Sequence, residues 1–233
     1  MASRPRAAIS WSGGKDCCSA LLRVADRYEV AAALTMFDED GARSRSHGLR
    51  PELVAAQVGL LGLEHVGRHT SWDSYTDAFE SGLAELAARG ISHVIFGDIM
   101  FDSHREWTEQ RCAAAGLTAV QPIWGEPTDR VVREFLASGS EALIVTARAQ
   151  FLDHTWLGRT LTVPMLDELT ALGVDPCGEL GEYHTLVVNC PLFTRSLGVA
   201  ARGHVLRAGC WALDLELVSE RSPQADAGDG PLG

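Results

Sequence analysis

Short apolar runs alternate with amphipathic stretches along the first half of the chain. This alternation is typical of a parallel sheet whose strands are joined by helices. The apolar runs predict strands at residues 7–10, 30–36, 65–68, 91–96 and 117–120, and the amphipathic stretches predict helices at residues 17–26, 51–61, 74–89 and 103–115. We therefore expect an α/β fold built on a parallel five-stranded sheet with helices on both faces.

The second half of the chain follows a segment that contains Pro122 and Pro127, where we place a domain boundary. The pattern beyond it predicts helices at residues 129–138 and 165–172, strands at 142–147 and 185–189, and a hairpin that pairs 204–207 with 211–217. We expect a first domain at residues 1–125, a smaller C-terminal α/β domain at 126–220, and a disordered tail at 221–233, which is rich in Pro, Gly and Asp.

Composition excludes several classes of protein. The chain has 233 residues, 46% hydrophobic and 22% charged, which is close to the globular average. Its 20 basic and 31 acidic residues give a net charge of −11, so general binding of nucleic acid is not expected. The six cysteines form no C-x-x-C pair, and no apolar run is long enough to span a membrane. We expect a soluble cytoplasmic protein without a membrane partner, and the sequence leaves its oligomeric state open, a homodimer included.

The segment Ser12-Gly13-Gly14-Lys15-Asp16 lies between the first strand and the first helix. Two glycines let the backbone approach a ligand closely, and a helix N-terminus and a lysine favour negative charge. The spacing matches neither a Walker loop nor a dinucleotide fingerprint. A simple strand-to-helix turn is the alternative interpretation, but the carboxyl ends of parallel strands are where such folds bind ligands. Gly97-Asp98, at the end of another strand, is a second candidate edge of the same cleft.

These residues resemble a known family. Ser12 to Cys17 is similar to the S-G-G-K-D-S pyrophosphate loop of the N-type ATP pyrophosphatases, and the chain more narrowly resembles the diphthine–ammonia ligase family over residues 6–195. That family also carries the segments found here at 97–99, Gly-Asp-Ile, and at 178–185, Gly-Glu-Leu-Gly-Glu-Tyr-His-Thr. Two positions depart from its pattern, Cys17 in place of serine and Leu180 in place of a small or polar residue.

The resemblance implies a HUP-like (adenine nucleotide alpha hydrolase-like) fold and an ATP-dependent C–N ligase of the AMP-forming ATP pyrophosphatase type. In such a reaction a substrate carboxylate attacks the α phosphorus of ATP, pyrophosphate leaves, and ammonia converts the acyl-adenylate into an amide. The implied ligands are ATP, Mg²⁺, a carboxylate and ammonia. The implied ATP-binding residues are Ser10, Ser12, Gly13, Gly14, Lys15, Asp16, Cys17, Met36, His47 and Gly97. Met36 is included because this superfamily reads adenine with backbone groups at the end of the second strand.

Carboxylates supply the rest of the predicted chemistry. Asp16 and Asp98 are oxygen ligands of the kind Mg²⁺ prefers, although Asp16 could cap its helix and Asp98 could be a solvated turn residue. Glu179 and Glu182, separated by Leu180 and Gly181, are spaced so that both can point into a cleft and bind metal or deprotonate ammonia. The predicted catalytic residues are Lys15, Asp98, Glu179, Glu182 and His184. A solvated loop is the alternative for the glutamates and for His47, and Cys17 and Cys18 have the alternatives of reactive thiol and core residue.

The substrate and the reaction retain alternatives. Diphthine on elongation factor 2 is the substrate that the resemblance implies for an archaeal or eukaryotic chain, and a small carboxylate is the expectation for a bacterial one. A tRNA-modifying sulfurtransferase is the enzymatic alternative, which the acidic charge and the missing C-x-x-C disfavour. A non-catalytic sensor of adenine nucleotides is the alternative outside catalysis.

Overall fold

The computed structural model describes residues 3–218, and the predicted tail at 221–233 lies outside them. The first half contains a five-stranded sheet in the order β3-β2-β1-β4-β5, and every strand pair is parallel. Its strands are β1 Arg6–Ser10, β2 Glu29–Asp38, β3 Glu64–Thr70, β4 His93–Ile95 and β5 Thr118–Val120. The predicted parallel sheet is confirmed.

Four helices connect these strands: α1 Lys15–Val24, α2 Pro51–Leu60, α3 Tyr75–Ala88 and α4 Asp102–Ala114. Neighbouring residues of a strand point to opposite faces, and β1 shows this directly. Ile9 belongs to the apolar cluster that contains residues of α1 and α2, whereas Ala8 belongs to the cluster that contains residues of α3 and α4. Helices therefore cover both faces of the sheet, as the sequence predicts.

The second sheet is antiparallel, in the order β7-β6-β9-β8. Its strands are β6 Glu141–Arg148, β7 Tyr183–Asn189, β8 Val199–Arg207 and β9 Cys210–Leu217, and the same half contains α5 Thr128–Ala137, α6 Val163–Ala171 and a short 3₁₀ turn at His154–Trp156. The predicted hairpin turns at Ala208 and Gly209, both with positive φ, as a two-residue hairpin loop requires. Strand β8 begins earlier than predicted because Gly203, in an irregularity of the pairing, interrupts the alternation by which a strand is recognised.

The two sheets share one hydrophobic core. A single cluster of buried residues runs from Ile9 in β1 to Val187 in β7, and α1 packs against α5. The backbone N–H of Val187 donates to the carbonyl of Gly13 at 2.9 Å, so the second sheet is bonded directly to the loop after β1. The position of the domain boundary stays a prediction. No helix within residues 3–218 is both long and apolar enough to cross a membrane.

Candidate active site

The loop after β1 has a shape that only glycine allows at its two central positions. Gly13 has φ +87°, and a Cβ on it would lie 2.7 Å from Oε1 of Gln57. A Cβ on Gly14 would lie 2.1 Å from Cε1 of His47, whose ring is itself held by a hydrogen bond. The glycines thus let the loop pack closely while α1 begins at Lys15, and the first N–H groups of a helix have no carbonyl partner within the helix.

The end of β4 lies against the same helix N-terminus. A Cβ on Gly97 would lie 2.6 Å from the backbone nitrogen of Cys17 and 2.7 Å from the carbonyl carbon of Asp16. Both atoms belong to the backbone, so a larger residue would displace the loop. Gly97 therefore brings Asp98 beside the first turn of α1, where the sequence places the second edge of the cleft.

These elements enclose a recess of about 250 Å³ at the carboxyl edge of the first sheet. The residues that line it come from both halves of the chain: Ser10, Ser12, Asp16, Cys17, Ser46, His47, Phe96, Gly97, Asp98, Phe101, His104, Cys177, Gly178, Glu179 and His184. The structure thus brings together most of the predicted site residues. Ser46, Phe101 and His104 were not predicted, because isolated polar or aromatic residues in loops and first helical turns carry no distinguishing pattern.

Three carboxylates face this recess, from Asp16, Asp98 and Glu179. Burial and the neighbouring charge of Asp16 raise the pKa of Glu179 to about 8, although Lys15 opposes the shift. Burial also raises the pKa of Asp98, while His104, with Nδ1 3.7 Å from Oδ1 of Asp98, opposes that shift. The recess therefore concentrates negative charge and favours a proton or a cation.

The carboxylate oxygens of Asp16 and Asp98 fit a magnesium ion that also takes oxygen ligands from a phosphate group. Oδ1 of Asp16 is buried without a hydrogen-bond partner, and Asp98 lines the same recess. Within residues 3–218, no group of three or more His, Cys, Asp or Glu side chains is arranged to hold a metal. Mg²⁺ needs no such group, since it takes one or two carboxylates and completes its shell with water and phosphate oxygens.

Two histidines form one wall of the recess. The rings of His47 and His184 stack with centroids 4.8 Å apart, and Nδ1 of His47 lies 2.8 Å from the carbonyl oxygen of Thr185. A carbonyl accepts, so Nδ1 carries the proton and Nε2 is the basic nitrogen. Burial lowers the pKa of His47 to about 4 and that of His184 to about 3. Both rings are neutral at physiological pH, and His47 is a buried wall residue, not a solvated one.

Glu182 does not share the recess with Glu179, contrary to the prediction that both point into one cleft. Its side chain is buried, and Oε1 accepts the backbone N–H of Asp175 at 3.1 Å. The chain turns at Gly181, with φ +81°, between the two glutamates, so they point to different environments. Glu182 thus supports the loop that presents Glu179.

Met36 does not end β2, contrary to the prediction, and adenine recognition at Met36 stays a prediction. Strand β2 continues to Asp38, and the carbonyl of Met36 accepts the backbone N–H of Arg45 at 3.0 Å. Its side chain is buried in the core on the α3 and α4 side of the sheet. The sequence prediction ended the strand too early because it assigned Phe37 and Asp38 to the polar loop that follows, whereas pairing with β3 extends the strand through them.

Cys17 and Cys18 are both buried. The thiol of Cys17 donates to the carbonyl of Gly14 at 3.1 Å, and burial raises its pKa. Its backbone nitrogen lies against Gly97, and the thiol is protonated and enclosed. This disfavours Cys17 as a carrier of sulfur, because the thiolate is the reactive form.

A second recess of about 610 Å³ adjoins the first, and the two share five residues in their walls: Ser10, Ser46, Phe96, Asp98 and His104. Aromatic side chains line much of it: Trp72, Tyr75, Phe79, Phe96 and Trp107. Phe79 and Trp107 contact each other with centroids 4.8 Å apart. Sequence reasoning missed this recess, since aromatic residues on α3 and α4 fit the pattern of an ordinary core. The combined cleft has an acidic end beside the glycine loop and an aromatic end.

Comparison with known proteins gives a consistent result for both halves of the chain. Family models described as the diphthamide synthase N-terminal domain and the diphthamide synthase C-terminal domain match residues 5–119 and 127–214. Proteins named diphthine–ammonia ligase match from Rattus norvegicus, 27% identical over 83% of this chain and 82% of the relative, and from Mus musculus, 26% identical over 87% and 86%. The protein of the same name from Schizosaccharomyces pombe is 29% identical over 80% of this chain, which spans only 34% of that relative.

Among solved structures, one described as a predicted subunit of tRNA methyltransferase from Methanocaldococcus jannaschii overlaps with a TM-score of 0.41 and 15% identity, covering 80% of this chain and 98% of the other. This overlap is too low to support a conclusion about the fold or the function of this chain. The two family models, in contrast, together span most of the chain in the expected order. The chain belongs to the diphthamide synthase family.

Proposed function

We propose that this protein is an ATP-dependent ligase that activates a carboxylate as its adenylate and converts it into an amide with ammonia. AMP and pyrophosphate are the other products. The names of the relatives support a ligase that uses ammonia. The single observation that carries the proposal is the shared recess, in which the glycine loop of the first sheet meets Glu179 and His184 of the second.

The glycine loop is the proposed phosphate site. The N–H groups of Asp16 and Cys17, in the first turn of α1, and the positive dipole end of that helix offer fixed donors for phosphate oxygens. The aromatic recess next to it has the size and lining for a purine base, and Asp98 lies where the two recesses join. ATP would therefore place its phosphates beside Asp16 and its base among Trp72, Tyr75 and Trp107.

An ATP tetra-anion beside three carboxylates requires a compensating charge. We propose that Asp16 and Asp98 hold Mg²⁺, which supplies neutralisation of the phosphate oxygens as pyrophosphate leaves. The chain's own contribution is to fix these oxygens in place. Gly97 sets the position of Asp98 relative to the loop, and backbone contacts hold the loop to β7.

Glu179 is the proposed proton acceptor for the amine. Ammonia in water is mostly ammonium, so the second step needs a group that binds the cation and removes a proton. A carboxyl with a pKa of about 8 changes charge close to neutral pH, which suits that exchange. His184, with its pKa lowered to about 3, is a poor base and is better suited to orienting the amine with a neutral ring nitrogen.

The experiment is a reaction of the purified protein with ATP, Mg²⁺ and ammonium over a panel of carboxylates that includes protein-bound diphthine and small acids. We expect one carboxylate to give an amide, detected by mass spectrometry, with one AMP formed for each amide. Omission of ammonium should leave AMP release slow. ADP as the nucleotide product, or AMP without amide from every carboxylate, would contradict the proposal.

A matched pair of variants tests the role of Glu179. Glu179→Gln keeps the size of the side chain and should abolish amide formation while ATP still binds. Glu109→Gln, on the exposed surface of α4, where Glu109 pairs with Arg105, is the control and should change neither. An active Glu179→Gln protein would remove Glu179 from the proposed mechanism.

A further inference from the structure

Lys15 is the only lysine among the 20 basic residues of the chain, and the other 19 are arginines. It is the first residue of α1, and only 2% of its surface is exposed. A buried ammonium is costly unless its donors are paired. The burial of the Lys15 ammonium must therefore be compensated by specific partners within the protein.

Two of the three donors of the ammonium are paired with groups of the protein, and an aromatic ring lies beside it. Nζ donates to the carbonyl of Cys177 and to Oδ2 of Asp16, and it lies 5.2 Å from the centroid of the Tyr183 ring, a cation–π distance. Lys15 is not among the residues that line the recess. The ammonium thus lies behind the carboxylate of Asp16, outside the lining of the recess.

The carbonyl that Lys15 holds belongs to the turn that carries Glu179. Oδ1 of Asp175 accepts the backbone N–H groups of Cys177 at 2.9 Å and Glu179 at 3.2 Å. Oδ2 of Asp175 accepts the hydroxyl of Thr128, at the start of α5, at 2.6 Å. The turn is therefore fixed on one side to α5 through Asp175 and on the other side to α1 through Lys15.

The backbone of Lys15 is tied to the same region. Its N–H donates to Oγ1 of Thr185 in β7 at 3.1 Å. A compact ammonium with three donors suits this arrangement of a carbonyl, a carboxylate and a ring face, whereas the planar fork of an arginine does not. Lysine at this single position in an arginine-rich chain is consistent with a structural requirement for that geometry.

We propose that Lys15 is a positioning residue whose ammonium fastens the nucleotide loop, Ser12 to Cys17, to the acidic loop, Asp175 to Glu182, and so sets Glu179 beside Asp16. It does not grip a phosphate of ATP. The catalytic consequence rests on the proposed function, but the link between the loops does not.

Hydrogen exchange on the ligand-free protein tests the link. In Lys15→Met, which keeps length and removes the charge, we expect the amides of residues 177–182 to exchange at least about tenfold faster, because local opening becomes easier. Arg89→Met is the matched control: it removes one positive charge from an exposed ion pair with Glu64 and should leave those amides unchanged. Unchanged protection of 177–182 in Lys15→Met would overturn the proposal.

A second measurement uses the unaltered protein and covers the case in which Lys15→Met fails to fold. Because the chain has one lysine, heavy-nitrogen lysine gives a single Nζ signal in NMR. We expect a protected ammonium signal without ATP and little change in it on addition of ATP and Mg²⁺. A signal that appears only when ATP is added would show a phosphate ligand and overturn the proposal.

The activity readout separates positioning from nucleotide binding. Lys15→Met should lower kcat for amide formation by about tenfold or more, since small displacements of a catalytic group are costly, while the Kd for ATP changes less than about threefold. A large loss of ATP affinity with kcat unchanged would contradict the positioning role. If no carboxylate yields an amide with the unaltered protein, the proposed function fails, while the exchange and NMR results still decide the link.

Discussion

Replacing Gly97 by alanine tests the packing that joins the two edges of the nucleotide site. An alanine Cβ would lie 2.6 Å from the nitrogen of Cys17, 2.7 Å from the carbonyl carbon of Asp16 and 2.9 Å from its carbonyl oxygen. All three atoms are backbone, so no side-chain rotation relieves the contact. Either the end of β4 or the first turn of α1 must move.

The size of the effect follows from two opposing contributions. Overpacking of a tightly packed position costs about 1–3 kcal/mol, and the smaller conformational freedom of alanine in the unfolded chain returns about 0.4–1 kcal/mol. A net loss of about 1–2 kcal/mol in the free energy of unfolding is expected. The displaced loop should also bind ATP more weakly, by about tenfold if some 1.4 kcal/mol of the strain acts on the bound state.

Urea unfolding and calorimetric titration with ATP and Mg²⁺ measure the two effects. Gly59→Ala is the control, because no atom lies within 4 Å of the position its Cβ would take and the residue is within helix α2. That variant should be as stable or slightly more stable, since alanine favours helix over glycine, and should bind ATP normally. A Gly97→Ala protein with unchanged stability and unchanged ATP affinity would refute the packing argument.

Three further predictions use other features of the structure. Glu179 is neutral below its pKa of about 8 and charged above it, so the rate of amide formation by the unaltered protein should rise through this pH range; a rate that stays level through it would refute this. His47 and His184 are buried and neutral, and their pKa values are lowered from 6.5 to about 4 and about 3. Because the unfolded chain therefore binds more protons, the free energy of unfolding should fall as the pH drops below 6.5. Replacing both histidines by glutamine should flatten that dependence in urea titrations. Asp214 accepts hydrogen bonds from Arg43 and Arg50, so Asp214→Ala should cost roughly 1–2 kcal/mol of stability by chemical unfolding and leave ATP affinity unchanged; an unaltered unfolding midpoint would count against it.

The strands and helices of the first sheet could be predicted because local pattern and tertiary packing agree there. The apolar run at residues 91–96 contains the buried strand β4, and Gly90 and Gly116 follow helices α3 and α4 with positive φ. The position of the glycine loop between β1 and α1 was predicted for the same reason, and its role as an anion site stays a prediction. Alternation is weaker around Gly203, which hid the start of β8.

Side-chain environments were harder to predict. The sequence places Glu179 and Glu182 three residues apart in a glycine-rich loop, but whether a side chain faces the cleft or the core depends on φ at Gly181 and on the hydrogen bond from Asp175. The sequence also shows Lys15 next to two glycines, which favours phosphate binding. Its partner Cys177 lies 162 residues away along the chain, so no local pattern reveals it.

In the proposed reaction, a carboxylate is activated by attack on the α phosphorus of ATP. A carboxylate labelled with heavy oxygen tests it most directly, because hydrolysis or aminolysis of an acyl-adenylate leaves one carboxylate oxygen on the phosphate of AMP. We predict one heavy oxygen in AMP for each amide formed and none in pyrophosphate, read by mass spectrometry. Heavy oxygen in inorganic phosphate with ADP as the product, or unlabelled AMP alongside the amide, would contradict the account.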